Sequence, residues 1–302
     1  MSKAQLILHK GVFDMSKKTN KSTVISIRLD ETALAAVDLL VNAGLAQSRS
    51  EAASQFITVG VQSSEELILK ATALEENVRR LKTEMLDAVK SRNLDKVQQL
   101  LAIDDKLKNA KSDEGQTAVL MAAYHRANEI KELLLQQGAE LNLYEASTVG
   151  NVMRIRELLG ENPESVNSHS FDGYTPLGLA AHFGHEEAAL YLIQNGADIG
   201  LKGQDGTLNN TPLHAAIAGN HLGIVRLLLE HHANINAQCE GTLREGFTPL
   251  HVAAHFNRLE IARMLLEHGA DPSLANSEAL TPAQYALARN NLEVAAIIQV
   301  GA

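Results

Sequence analysis

The chain has 302 residues and a formal net charge of −9, with 45% hydrophobic and 21% charged residues. This length allows two domains of roughly 100–200 residues, and the composition is typical of a folded globular protein. No run of about 18 apolar residues is present and the first residues lack the apolar core of a signal peptide, so we expect a cytoplasmic protein. The single cysteine, Cys239, excludes a disulfide framework.

Basic residues are concentrated at the N-terminus. Residues 1–62 carry seven Lys and Arg against five Asp and Glu, whereas the rest of the chain has a net charge of −11. A basic end joined to an acidic body favours contact of that end with an anion. We expect residues 1–21 to form a flexible basic arm.

Residues 22–62 predict one strand followed by two helices. Polar and apolar residues alternate over 23–29, Asp30 is placed to cap a helix that Gly44 ends, and Ser48 with Glu51 fits the capping box of a second helix. One strand and two helices in about 40 residues are too few for an independent core. The segment therefore predicts a second copy, with the two strands paired antiparallel.

The segments VISIRLDETAL and GLAQSRSEA resemble the ribbon-helix-helix family of DNA-binding dimers. In that family the paired strands enter the major groove, and the start of the second helix holds a phosphate. The resemblance implies DNA contacts from Val24, Ser26 and Arg28 on the strand, Ser48, Arg49 and Ser50 at the helix start, and Lys17, Lys18 and Lys21 in the arm. Val24 departs from the polar residue usual at its position and is limited to an apolar contact. The alternative is that residues 22–62 form a dimer and do not bind DNA.

The connector, residues 63–89, carries an apolar stripe without Gly or Pro. The stripe consists of residues spaced alternately four and three apart: Leu67, Ala71, Leu74, Val78, Leu81 and Met85. This spacing is typical of a coiled coil and predicts a helical neck that continues the dimer. The alternative is a helix whose stripe covers the first unit of the following domain.

Self-similar segments fill residues 84–302. Thr117, Thr175, Thr211 and Thr248 mark their phase with spacings of 58, 36 and 37, and Thr281 opens a final unit. Thr caps a helix and Pro suits its first turn, while apolar residues then recur at helical spacing. A single unit cannot bury its own face, so the pattern predicts a stack.

The repeated TPLGLAAHFGH, TPLHAAIAGNH and TPLHVAAHF resemble ankyrin repeats, six or seven units with the first and third degenerate. The resemblance implies an α-solenoid whose concave face and turns bind proteins, and in which His214 and His251 form hydrogen bonds between repeats. TAVLMAA lacks the Pro, and an extension near residues 202–208 lengthens one turn.

By the same resemblance, the partner-binding positions precede the capping Thr or follow the Ala pair. These positions are Gln116, Tyr124, His125, Tyr174, His182, Phe183, Ile217, Ala218, Phe247, His255 and Phe256. The set is rich in aromatic residues, as protein interfaces are. The alternative interpretation is that some of these side chains pack beneath the neighbouring turn and do not bind a partner.

No metal-ligand spacing, nucleotide-binding loop or catalytic motif occurs in the sequence, so we expect no enzyme activity, no cofactor and no metal. The predicted protein is mainly α: a ribbon-helix-helix head, a helical neck and an ankyrin solenoid. The leading hypothesis is a dimeric, sequence-specific DNA-binding transcriptional regulator of a prokaryote, whose repeats bind a protein. The alternative is a dimeric scaffold, or an antitoxin-like inhibitor, that does not bind DNA.

Overall fold

The computed structural model describes residues 5–10, 23–62 and 65–300, with side chains for 29–61 and 69–300. The described residues are mainly helical. They fall into two compact units, Met1–Arg79 and Arg80–Ala302, each of which is described by itself below.

The N-terminal unit begins with two antiparallel strands of the same chain. Strand β1 spans Gln5–Lys10 and β2 spans Thr23–Arg28, and the register places Leu6 opposite Ile27 and Leu8 opposite Ile25. The prediction that β2 pairs with a second copy is corrected, because QLILHK alternates in step with VISIR and supplies a partner from within the chain. The prediction of a flexible arm over residues 1–21 fails for β1, while Lys17, Lys18 and Lys21 lie outside the described residues.

Two helices follow the strands, α1 over Glu31–Asn42 and α2 over Arg49–Gln62. Asp30 caps α1 as predicted, since its carboxylate accepts the Ala33 N–H at 2.8 Å. The Ser48 hydroxyl accepts the Glu51 N–H at 3.2 Å, but the Glu51 carboxylate accepts the N–H of Gln47, so the predicted capping box is only half formed.

The N-terminal unit has a small core and many exposed apolar side chains. The fully buried apolar residues of its described part are Val37, Ala46, Ala52 and Ala53. Large apolar residues are exposed on all of its helices, with Leu39 at 68% and Phe56 at 46%. Four buried residues, three of them alanines, are a small core for a unit of this length.

Helix α3 spans Glu65–Lys90 without interruption and crosses the boundary between the two units. Leu81 and Met85 of its apolar stripe are buried in the core of the C-terminal unit, whereas Leu74 is exposed. The stripe therefore covers the first repeat over its last turns, as the alternative interpretation predicted. A coiled coil over the preceding turns stays a prediction.

The C-terminal unit is a stack of helix pairs. The C-terminal part of α3 pairs with α4, and six further pairs follow. Their bounds are α4 Leu94–Ile103, α5 Ala118–Tyr124, α6 Asn128–Gln136, α7 Leu143–Val149, α8 Val152–Glu161, α9 Pro176–Phe183, α10 Glu186–Gln194, α11 Pro212–Gly219, α12 Leu222–Glu230, α13 Pro249–His255, α14 Leu259–Glu267, α15 Pro282–Ala288 and α16 Leu292–Val300.

The helices of the stack form two layers. The first helices of successive pairs pack on one another from α5 to α15, and the second helices pack in a parallel row from α8 to α16. Alanine pairs such as Ala180–Ala181 and Ala253–Ala254 are fully buried and allow close approach. One continuous core therefore runs through all the pairs, as expected of a repeat protein.

Candidate protein-binding face

Five first helices, α5, α9, α11, α13 and α15, are each preceded by a turn that presents side chains along one edge of the stack. In the turn before α9, the Ser170 N–H donates to the Tyr174 carbonyl at 2.9 Å, and Gly173 adopts φ +85°. Thr175 then caps the helix by accepting the Gly178 N–H at 3.0 Å. The turns and the ends of the first helices thus form one surface, which we call the recognition face.

Neighbouring turns are joined by backbone hydrogen bonds. The Gln204 N–H donates to the Gly173 carbonyl at 2.7 Å. Residues 202–210 and 239–247, which we call the paired long turns, are linked from Gly241 N–H to the Leu208 carbonyl at 3.1 Å and from Leu243 N–H to the Thr207 carbonyl at 2.9 Å. These bonds hold the turns before α9, α11 and α13 in one conformation, because these turns satisfy polar backbone groups of one another.

Two tyrosines reach aspartates of later repeats, Tyr174 in the next repeat and Tyr124 across the repeat of α7 and α8. The Tyr124 hydroxyl donates to Asp172 at 3.1 Å, and the Tyr174 hydroxyl donates to Asp205 at 3.0 Å. Burial, together with these carboxylates, raises the pKa of both tyrosines. Both hydroxyls therefore stay protonated and serve as hydrogen-bond donors.

Asp205 organises the first of the paired long turns. One of its carboxylate oxygens accepts the N–H groups of Thr207, Leu208 and Asn209 at 2.8–3.2 Å. Burial by itself would raise the pKa of Asp205, but these N–H groups and the hydroxyls bonded to the other oxygen lower it overall. The carboxylate is thus held charged and fully occupied by its own chain.

The first aromatic cluster contains three of the predicted binding residues. Tyr124 and Phe183 meet edge to face with ring centres 5.4 Å apart, and His182 lies 4.9 Å from Phe183. Tyr124 and Phe183 are half-buried and His182 is exposed. Gln116 and His125 lie in the turn before α5 and at its C-terminal end, outside the aromatic contacts of the described residues.

The second aromatic cluster consists of Phe247, His255, Phe256 and Tyr285. His255 stacks on Tyr285 at 5.9 Å and meets Phe256 at 4.7 Å. Phe247 is only 5% exposed, since it packs against Tyr285 within the core, and its predicted role as a binding residue is corrected. Ile217 is likewise fully buried. His255 and Phe256 remain half-exposed on the face.

Sequence reasoning missed three residues in or beside the second cluster: Tyr285, which belongs to it, and Arg244 and Arg289, which lie over its rings. Tyr285 aligns with the buried Val252 of the preceding repeat, so the repeat pattern assigns it to the core. Arg244 lies in the second of the paired long turns, where the repeat offers no equivalent position. Arg289 lies eight residues after its capping Thr281, and Phe256 lies eight residues after Thr248. This equal spacing is the signal in the sequence that places Arg289 at the position equivalent to Phe256.

Two buried histidines link repeats as the resemblance implied. His214 Nδ1 lies 2.8 Å from the Thr211 hydroxyl, and its Nε2 lies 3.1 Å from the Phe247 carbonyl of the next repeat. His251 makes the same contacts with Thr248 and the Leu280 carbonyl. Burial lowers the pKa of His214 to about 4, so the ring is neutral and structural.

The helix start predicted to hold a phosphate carries an internal ion pair. The Arg49 guanidinium donates to both oxygens of Asp38, with Nη2 at 2.7 Å, and Ser48 caps the helix. Asp38 thus offsets the positive charge that a phosphate would need. The backbone of Val24, Ser26 and Arg28 belongs to β2, while their side chains lie outside the described residues.

The turn-helix-helix stack defines a repeat solenoid. A family model described as ankyrin repeats (3 copies) matches residues 85–203, 143–239, 201–276 and 238–301, which together exceed half the chain. The chain belongs to the ankyrin-repeat family. Ankyrin repeats are protein-interaction modules, and the relatives are typically non-enzymatic.

Several curated proteins share this region. The B-cell lymphoma 3 protein homolog of Mus musculus is 32% identical over 180 residues, which are 60% of this chain and 34% of that protein. The Neurogenic locus Notch protein of Drosophila melanogaster is 37% identical over 105 residues, 34% of this chain and 4% of that protein. A putative ankyrin repeat protein of Rickettsia felis is 33% identical over 133 residues, 42% of this chain and 57% of that protein. The chain thus spans only part of each relative.

Two further properties concern the described residues alone. Among them, His, Cys, Asp and Glu form no cluster suited to a metal ion. None of the helices in the same residues combines the length and the apolar character needed to cross a membrane.

Proposed function

We propose that this protein is a dimeric adaptor that captures a protein partner on the recognition face. The observation that carries the proposal is the placement of Tyr124, Phe183, His255 and Phe256 at the surface of the stack, where each ring stays partly exposed. Large aromatic residues that stay accessible on a rigid surface are the usual anchors of protein interfaces.

The adaptor function is tested by removing two anchors. Phe183→Ala combined with Phe256→Ala is expected to weaken capture of partners from an extract of the source cells by about 30-fold or more, because interface anchors typically contribute 2 kcal/mol or more. Met153→Ala is the matched control, since Met153 is exposed on the second helix α8. Quantitative mass spectrometry of captured proteins provides the measurement. Equal capture by the wild type and the double variant contradicts the proposal.

The dimer is supported by the composition of the N-terminal unit. Its described part buries four small or medium apolar residues and exposes large ones, including Leu39, Leu45 and Phe56. A second copy of the same unit would cover these side chains and enlarge the core. We propose that two chains associate through this unit, which gives the adaptor two recognition faces and bivalent binding.

DNA reading by the N-terminal unit is the second candidate function. The observation that favours it is the order strand, helix, helix over residues 23–62, which is that of the ribbon-helix-helix family. In this candidate the dimer is a sequence-specific transcriptional regulator, with Val24, Ser26 and Arg28 as the base-reading positions. Ser50 and the N–H groups at the start of α2 would supply a phosphate contact.

Selection of sheared genomic DNA by the full-length protein tests this second candidate. Enrichment of a few sites that share a short repeat is expected, and Arg28→Ala should then cost about 1–3 kcal/mol of site discrimination, because arginine reads guanine through two hydrogen bonds. Analytical ultracentrifugation should give a molecular mass of twice the 32.6 kDa of one chain for the wild type and for Arg28→Ala. Uniform recovery of DNA, or equal site preference in both proteins, counts against base reading.

A further inference from the structure

We infer that the second aromatic cluster contains a subsite for a carboxylate side chain of the partner, next to a small cavity for an aliphatic side chain. The inference rests on the proposed adaptor function and specifies the chemistry of the segment that binds. Arg244 and Tyr285 are its central residues, with Arg289 beside them.

Arg244 is a half-buried cation without a counter-ion in the described part of the chain. The ion pairs of the described residues join other arginines and lysines to carboxylates, and none includes Arg244 or Arg289. The guanidinium carbon of Arg244 lies 5.0 Å from the centre of the Phe256 ring, and that of Arg289 lies 5.9 Å from the Tyr285 ring. The guanidinium carbon of Arg258 lies 5.6 Å from the Phe256 ring as well, so three cations face the same aromatic cluster, where an anion would reduce their repulsion.

A chain of hydrogen bonds leaves the Tyr285 hydroxyl available as a donor at this point. A guanidinium only donates, so Arg244 Nη2 donates to His255 Nε2 at 3.4 Å, and the proton of the neutral ring resides on Nδ1. Nδ1 then donates to the Tyr285 hydroxyl oxygen at 2.8 Å. The Tyr285 O–H is left to donate to a ligand. The remaining N–H groups of Arg244 are donors as well, and a carboxylate accepts from both residues.

The two aspartates of the recognition face, Asp172 and Asp205, explain why the expected charge is negative. Asp172 and Asp205 are charged groups, but each accepts hydrogen bonds from its own chain, Asp205 from three N–H groups and two hydroxyls. A basic partner side chain would have to compete with these donors. Arg244 has no such internal partner, so an acidic side chain adds an interaction without displacing one.

The cavity beside Arg244 suits an aliphatic side chain. Its volume is about 150 Å³, and its wall includes Tyr174, Leu179, Ala218 and Phe256 as well as Arg244. The lining is mainly apolar, and a pocket of this size accepts one branched aliphatic group. The segment that binds therefore carries an acidic residue close to a leucine or isoleucine.

A display library of random 12-residue peptides, selected against the full-length chain, provides the test. Selected peptides are expected to be enriched in Asp or Glu near an aliphatic residue. For one such peptide, Arg244→Gln should weaken binding by about 10- to 100-fold, the range for a charged hydrogen bond, and Tyr285→Phe by about 5- to 10-fold. Arg226→Gln, which removes an exposed arginine from α12, is the matched control and should bind like the wild type.

A peptide in which the acidic residue is replaced by its amide distinguishes a direct contact from a folding defect. This peptide should bind the wild type weakly, and Arg244→Gln should weaken it little further, because the two changes remove the same interaction. Absence of acidic enrichment, recovery of no peptide, or unchanged binding of the acidic peptide by Arg244→Gln overturns the inference. If peptides bind without an acidic requirement but lose affinity in the Phe183→Ala, Phe256→Ala protein, the adaptor proposal survives alone. If that double variant also binds normally, both fail.

Discussion

Replacement of Gly173 by alanine is expected to lower the free energy of unfolding by about 3 kcal/mol, because two costs combine at this position. Its φ of +85° lies in the left-handed region that L-residues disfavour. A Cβ would also lie 2.5 Å from the backbone nitrogen of Asp205 and the carbonyl carbon of Gln204. Relief of this overlap requires the next turn to move, which would break the bond from Gln204 N–H to the Gly173 carbonyl.

Gly196→Ala is the matched control for the Gly173 variant. Gly196 has a similar φ of +91°, but a Cβ there meets no atom within 4 Å. Only the conformational cost applies, and we expect a loss of about 1 kcal/mol. Urea unfolding followed by circular dichroism measures both variants. Equal losses in the two proteins would show that contact between neighbouring turns contributes nothing to stability.

Acidification is expected to destabilise the stack by about 3 kcal/mol through His214 alone. Burial lowers the pKa of His214 to about 4 from its ordinary 6.5. The folded state thus binds the proton less readily than the unfolded state. The stabilising contribution is therefore complete above pH 6.5, and it is lost as the pH falls from 6.5 through 4. Protonation of Nδ1 also removes the acceptor for the Thr211 N–H.

His214→Gln is the variant that isolates this effect. The last repeat already uses Gln284 at the equivalent position, where its side-chain oxygen accepts the Thr281 N–H at 2.9 Å. Glutamine should therefore support the fold near neutral pH while it flattens the pH dependence. Urea midpoints between pH 4 and 8 measure the difference. His251 and His255 also have lowered pKa values, so part of the pH dependence of stability remains in the variant. An identical pH dependence of the urea midpoint in variant and wild type contradicts the assignment of the effect to His214.

The stack could be predicted well because the residues that determine the structure of each repeat lie close together in its sequence. Thr175 and Thr248 cap the helices that they were expected to cap, and His214 and His251 bridge repeats as the family implied. Such signals lie within a few residues of each other in the sequence. The repetition of the pattern then fixes which helix packs on which.

The binding face and the N-terminal unit were harder to predict, because their features depend on residues far apart in sequence. Phe247 is buried by Tyr285, 38 residues later, and the position of Arg244 follows from a lengthened turn. Strand β1 was overlooked because a six-residue alternation within a basic segment is a weak local signal. Its antiparallel pairing with β2 is what identifies the segment as a strand.

The paired long turns couple the lengths of two loops that the repeat pattern would leave independent. If residues 202–210 were shortened, the N–H groups of Gly241 and Leu243 would lose their acceptors at Leu208 and Thr207. At Gly241 a side chain is excluded as well, since a Cβ would lie 2.2 Å from the Thr207 carbonyl carbon. Insertions and deletions in these two loops should therefore occur together during evolution, so that the pair is inherited as one module.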